Sequence, residues 1–435
     1  MSAPTPACVI VGGGHAAAQC ALSLRQHHWS GGITVVGDEP LQPYHRPPLS
    51  KGYLKGETGP EQILIRPAAL YAQKDIAFRL GARVVAIDRA QHTVVLADGS
   101  SLAYDKVVLA TGSLNRKPPI EGIDLPGVHV LRTAAEADAL RRAVTGASRI
   151  LILGGGFIGL EVAASLRSQG RAVTVLEREP RILSRVTSPE LSAFLHGIHC
   201  EEGVEIHTGV TVTAIRGGSG RLRVETKERA VYEADVVVAG TGAAPNTQLA
   251  AAAGLAIENG IRVDETCRTS DPDIYAIGDC ACQHHPLYGR DIRLECVQNA
   301  VDQARTAAAA MTGQPIPPRP LPWFWSDQYD IKLQMAGLST GYDDLVLRRH
   351  PDTPRCLSAW YFKGDRLIAA DAVNDAIAYA VASKLISGGK AADRLRIADP
   401  HADIKNSWGP HHDRPARSVP RASPTARRSR LPVPR

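Results

Sequence analysis

A glycine cluster set between an apolar run and an alanine-rich helix constrains a chain severely, and this one carries two: Gly12-Gly13-Gly14-His15-Ala16-Ala17 and Gly154-Gly155-Gly156-Phe157-Ile158-Gly159. Each has the form of a dinucleotide-binding turn. Gly12 and Gly154 permit the tight bend, while Gly14 and Gly156 let the backbone approach a pyrophosphate. Ala17 and Gly159 are small enough for helix to pack on strand. Phe157 and Ile158 sit where the second helix opens, with its N–H groups and dipole aimed at the phosphates. A chain of 435 residues is too long for one core. Two such turns within it imply two dinucleotides held side by side, the arrangement needed to pass a hydride from a nicotinamide to a flavin.

The surroundings of both turns repeat. The apolar runs 8–11 and 33–36 flank the first, and the second run ends at Asp38 and Glu39, either of which stands where a ribose hydroxyl is read. Runs at 83–87, 93–96 and 106–109 follow, the last closing at Ala110-Thr111-Gly112. A Pro/Gly-rich stretch, 116–127, reads as a linker. The pattern then restarts with a strand at 150–153, a helix to about 169 and a strand at 172–176 leading to Glu177. A carboxylate there binds ribose hydroxyls and repels a 2′-phosphate, which predicts NADH over NADPH, although Arg178 and Arg181 lie close enough to offset it. Another apolar run, 235–239, closes at Gly240-Thr241-Gly242, and a short buried strand ends in Gly278-Asp279. Beyond about 317 the pattern becomes short alternating strands at 331–335, 345–348, 359–362 and 367–370, with a helix near 376–385, an α+β module. The fold expected is α/β: two Rossmann-like dinucleotide domains and an appended α+β domain.

Charge excludes less than it suggests. The formal net charge is +6, but from residue 409 onward seven arginines face only Asp413, so the body is neutral. That Pro/Ser/Arg-rich end, 409–435, lacks bulky apolar side chains and reads as a disordered basic tail. No run of eighteen uncharged apolar residues occurs and no signal segment is legible, which predicts a cytoplasmic protein. The eight cysteines are scattered, and Cys280-Ala281-Cys282-Gln283-His284-His285 matches no zinc spacing, so no metal is expected.

Four further blocks accompany the turns: Pro43-Tyr44-His45-Arg46-Pro47-Pro48-Leu49-Ser50-Lys51, Thr269-Ser270-Asp271-Pro272 continuing to Gly278-Asp279, Arg293-Leu294-Glu295-Cys296-Val297-Gln298-Asn299-Ala300, and Pro322-Trp323-Phe324-Trp325-Ser326-Asp327-Gln328-Tyr329. In this order they resemble the FAD-dependent bacterial ferredoxin reductases of the putidaredoxin reductase and biphenyl-dioxygenase ferredoxin reductase type, within the glutathione-reductase superfamily. The resemblance runs from about 8 to 395. It implies a discontinuous FAD domain (1–115 and 248–316), an inserted NAD domain (116–247) and a C-terminal reductase domain (317–408). It implies FAD contacts at Ala16, Asp38, Arg46, Lys51, Val84, Arg132, Asp279 and Val297. Lys51 would pair with Glu161 near the isoalloxazine ring and offset charge developing there. Trp323, Phe324 and Trp325 form an aromatic patch of a kind that ordinarily serves a core; the resemblance puts Trp325 against the flavin.

An absence sets the expected chemistry. Relatives relay electrons through a cysteine pair beside the flavin, a single redox cysteine or a C-x-x-C; this chain has no C-x-x-C, and residues 44–51, the segment that would carry the pair or the single cysteine, contain none. Electrons would therefore leave from the flavin itself, one at a time, to a separate protein: a 2Fe-2S ferredoxin first, feeding a cytochrome P450 or a ring-hydroxylating oxygenase, and rubredoxin second. Ferredoxins are commonly acidic, and Arg348, Arg349 or the tail offer basic charge for docking. Rival readings on the same scaffold are an NADH oxidase, a monodehydroascorbate-type reductase and an apoptosis-inducing-factor-like flavoprotein.

Overall fold

In this computed structural model, which describes residues 6–218 and 220–407, the first glycine turn joins the strand Ala7–Val11 to the helix His15–Gln26. The strand pairs in parallel with Gly32–Gly37 on one side and Lys106–Leu109 on the other. Ile76–Leu80 and Ile274–Ala276 complete a five-stranded parallel sheet. Its central strands are buried on both faces, which is why they read as unbroken apolar runs. The helix lies on a second alanine-rich helix, Val297–Met311, through Ala16, Ala17 and Ala21 on one and Ala300, Ala304 and Ala308 on the other, small side chains that allow close approach.

The second turn is built the same way. It joins the strand Arg149–Leu153 to the helix Phe157–Ser168 in a parallel sheet whose further strands are Ala172–Glu177, Glu205–Thr208, Val236–Ala239 and Val128–His129. Each sheet carries a three-stranded antiparallel ribbon. Val84–Asp88, Thr93–Leu96 and Ser101–Ala103 follow the first, and Val212–Gly218, Arg221–Thr226 and Val231–Ala234 the second. The 116–127 stretch expected to link the two is irregular apart from a single bridge at Glu121.

The appended module is a five-stranded antiparallel sheet in the spatial order Trp323–Gln328, Ile331–Gly337, Arg366–Val373, Leu357–Lys363, Asp344–Arg349. The helix Ala376–Ser387 covers one face, packing Ala378, Val381 and Leu385 against Trp360, Phe362 and Ala372. The edge strand Trp323–Gln328 was absent from the four strands read by alternation. Its three leading aromatics form an unbroken apolar run, so no period of two marks it.

One docking expectation is corrected. Arg348 is 4% exposed and donates to the backbone carbonyls of Arg396, Ile397, Asp399, Pro400 and Ala402, so it gathers the chain's final turns rather than meeting a partner. Another buried group joins the module to the second dinucleotide unit. Asp371 accepts from Tyr361 Oη at 2.5 Å and Thr187 Oγ1 at 2.8 Å, and burial pushes its carboxyl up to about 7. The basic tail lies outside the described residues. Among those described, no helix is long and apolar enough to cross a membrane.

Candidate active site

Both glycine turns open onto one cavity of 860 Å³. Gly12 and Gly154 adopt φ of +124° and +105°, and a side chain on either would overlap a carbonyl of the neighbouring strand end, Ala110 O or Gly240 O. Gly14 and Gly156 have nothing within 4 Å of where a Cβ would stand. Space is therefore left in front of each helix's first N–H groups, and a dinucleotide pyrophosphate fits there at both turns.

At the first turn the cavity is bordered by Gly12, Gly14, Ala16, Asp38, Glu39 and Arg46. Ala110, Thr111, Gly112, Arg132, Asp279 and Val297 continue the wall. The second turn adds Gly154, Gly156, Phe157, Ile158, Gly159, Glu177 and Gly242. Lys51, Glu161 and Trp325 lie on the wall as well. Two residues singled out by the sequence do not border it. Ala17 is fully buried between the helices, and Val84 packs from the antiparallel ribbon against the core beneath the first sheet. A ribbon strand shows alternate residues to opposite sides, so nearness along the chain does not carry Val84 to the cavity.

Charges at the first turn are paired. Arg46 Nη2 is 2.7 Å from Glu39 Oε1, and Tyr44 Oη donates to the other carboxylate oxygen at 2.5 Å. With Glu39 thus engaged, Asp38 is the carboxylate of the two with no partner among the described residues, and it is exposed. Arg132 Nη2 meets Asp279 Oδ2 at 2.9 Å, where Ser113 Oγ also donates at 2.9 Å. Next to these, His15 and His45 share a hydrogen bond of 3.0 Å between Nε2 and Nδ1. Burial, the neighbouring His45 and Arg46 lower the pKa of His15 to about 4.

Between the turns lies a buried knot. Glu161, 6% exposed on the second helix, is 2.6 Å from Lys51 Nζ and accepts from Ser50 Oγ and Ser326 Oγ, each at 2.6 Å. Gln328 Nε2 donates to Ser326 Oγ at 3.0 Å, and its own Oε1 is 2.8 Å from His199 Nε2. All three parts of the chain thus meet at one carboxylate. Sequence reading missed Ser326, although it follows Trp325 in the aromatic block. Phe324 packs at the edge of a core cluster and on Phe157, with centroids 4.5 Å apart, while also bordering the cavity, and Trp323 lies 5.3 Å from Trp325.

At the second turn Glu177 accepts from the N–H groups of Gly155 at 2.5 Å and Glu179 at 2.7 Å, which fixes the carboxylate at the turn's lip. The two arginines that clouded the nucleotide preference are occupied: Arg178 pairs with Glu179 at 2.9 Å, and Arg181 donates to Ser184 and Ser188 carbonyls. Arg116 and Arg185, which the sequence did not single out, border the cavity with no acidic partner among the described residues.

Cysteine chemistry stays at the margin. Cys296 borders the cavity, yet its sulfur accepts from Asn299 N–H as a helix cap, and burial pushes its thiol up to about 11. Cys280 is fully buried and donates to the carbonyls of Leu109 and Ile277, which accounts for it without a metal. A different trio of ligand types, His350, Cys356 and Asp375, comes within 4.8 Å in the C-terminal module, where Asp375 already caps a helix and faces His350.

The sequence matches the model of the pyridine nucleotide-disulphide oxidoreductase family over residues 6–304 and that of the reductase C-terminal domain over 323–408. Rhodocoxin reductase of Rhodococcus erythropolis is 44% identical over 406 residues, 93% of this chain and 95% of that protein. The crystal structure of a covalent putidaredoxin reductase–putidaredoxin complex superposes with a TM-score of 0.89 at 39% identity, covering 93% of this chain and 98% of that one. The ferredoxin reductase for the CYP199A2 system from Rhodopseudomonas palustris gives a TM-score of 0.89 at 40% identity, with 93% and 100% covered.

Proposed function

The chain belongs to the pyridine nucleotide-disulphide oxidoreductase family, and from that premise we propose that it is an NADH-dependent flavoprotein ferredoxin reductase. FAD occupies the first turn and NADH the second, and single electrons pass to a 2Fe-2S ferredoxin that serves a cytochrome P450 or a ring-hydroxylating oxygenase. The observation that carries this reading is the shared cavity: both turns open into it with the Lys51–Glu161 pair between them. When bound, the flavin supplies the conversion of a two-electron hydride into two single-electron steps.

The chain's own groups orient and insulate that chemistry. Lys51 places a fixed positive charge at the junction, and Glu161 holds it there, itself gripped by Ser50 and Ser326. Glu177 reads the nicotinamide nucleotide's ribose, and Phe324 and Trp325 screen the junction from water on the side of the appended sheet. Domain limits of 1–115 with 248–316, 116–247 and 317–408 agree with the pairing of Ile274–Ala276 to Lys106–Leu109 in the first sheet. We place the protein in the cytoplasm, in keeping with its unpaired cysteines.

An anaerobic stopped-flow experiment with the full-length FAD-loaded protein, NADH and a 2Fe-2S ferredoxin tests the reading. Flavin bleaching followed by bleaching of the iron–sulfur absorbance is expected. In a parallel aerobic run, rapid NADH consumption by dioxygen with no transfer to any ferredoxin or rubredoxin would make it an oxidase instead.

A further inference from the structure

Every cation bordering the first-turn half of the cavity already has an anion: Arg46 has Glu39, Arg132 has Asp279 and Lys51 has Glu161. Asp38 adds another carboxylate without a counter-charge. A dinucleotide brings two negative charges on its pyrophosphate to this turn, and enclosing them with no compensating charge is costly. Arg116 and Arg185, which have no acidic partner among the described residues, attach on the second-turn side, Arg116 through its N–H to Gly242 O and Arg185 with its guanidinium 3.5 Å from where a Cβ on Gly242 would stand; the first turn is left with its paired cations. What it has is an imidazole pair. His15 occupies the first helical position between Gly14 and Ala16 on the cavity wall, and behind it His45, exposed to solvent, holds it through the 3.0 Å bond.

Resting on the reading of the first turn as the FAD site, we propose that His15 and His45 form a proton-loaded anion site: seating the cofactor's pyrophosphate makes the pair take up one proton, shared across their hydrogen bond. Before binding, burial, the two rings' mutual effect and the positive charge of Arg46 keep His15 neutral, with Asp279 alone favouring the charged form. Burial and Arg66 lower the pKa of His45 as well. An arriving dianion reverses that balance, because a nearby opposite charge favours the protonated ring. The proton comes from bulk water by way of the exposed face of His45, and no bond other than N–H and hydrogen bonds is made or broken. Retention of the cofactor then weakens as pH rises, since proton uptake on binding favours the complex at low pH.

FAD release from the full-length holoenzyme, followed by recovery of flavin fluorescence between pH 5.5 and 8.5, reads this directly. The dissociation constant is expected to rise by up to about tenfold per pH unit on its steepest limb, the slope of one linked proton. His15→Gln, which keeps a hydrogen-bonding side chain but cannot be protonated, flattens the slope. Binding enthalpy measured on reconstitution in two buffers of different ionisation heat gives the proton count without any variant, with uptake expected. A pH-independent dissociation constant, a zero proton count, or a slope unchanged in His15→Gln overturns the proposal. Protein that binds no FAD at any pH refutes the reading of the first turn, whereas stoichiometric FAD without proton uptake refutes the imidazole pair alone.

Discussion

The two glycine turns are near copies in backbone and opposites in charge. Each has a first glycine at strongly positive φ against a carbonyl, an open third position, and a parallel sheet with an antiparallel ribbon behind it. The first is lined by cations that each face a carboxylate and by a hydrogen-bonded imidazole pair; the second presents Arg116 and Arg185, with no acidic partner among the described residues, and a carboxylate, Glu177, tied to its own backbone. Backbone shape makes a turn receptive to a dinucleotide, and the charges around it decide how that dinucleotide is kept.

The sharpest way to break the comparison is to damage each turn separately. Gly12→Val forces a side chain into Ala110 O and is expected to give colourless protein; Gly154→Val forces one into Gly240 O and should leave protein yellow but unable to be reduced by NADH. Visible absorbance and anaerobic NADH titration check both, and loss of flavin from both variants would mean the turns are not separable sites. Lys51→Ala removes the charge common to the two halves while Ser50 and Ser326 still hold Glu161, so flavin reduction should slow by about 10²-fold with FAD retained. Unaltered single-turnover kinetics would return Lys51 to a purely structural part.

A smaller effect is expected from Glu177→Ala, about tenfold in the ratio of kcat/KM for NADH over NADPH, the scale of one hydrogen bond to a charged group. An unchanged ratio would mean that the carboxylate serves the turn and not the ribose. Smallest is a change in stability. Asp371 holds its proton more tightly folded than unfolded, its pKa rising from an ordinary ~4 to about 7. It therefore favours the folded state fully below pH ~4 and progressively less as pH rises towards 7. Thermal melts of Asp371→Asn should lose that decline, and an identical pH profile would remove Asp371 as its source.

What the sequence made legible was local. The turns, their flanking strands and the alternation after residue 330 announce themselves within windows of a dozen residues, because glycine conformation and side-chain period are short-range properties. The site's wiring was not. Ser326 reaches Glu161 from 165 positions away and Ser50 from 111, contacts that exist only once the sheets have packed. Arg348 looked like surface charge since nothing in its neighbourhood reveals the five carbonyls that surround it. His15 and His45 belong to different motifs, and each alone is an unremarked histidine in a glycine or proline context. For Val84 the local pattern set an element, the ribbon strand Val84–Asp88, and left its facing undetermined.

Consecutive residues of the edge strand Trp323–Gln328 serve the junction, Trp325 on the cavity wall and Ser326 on the carboxylate beneath it. Shuffling C-terminal modules between reductases to change carrier choice would therefore also exchange part of the electron-transfer centre. A hybrid that swaps the module but keeps Trp325 and Ser326 should preserve the cavity wall and the hold on Glu161.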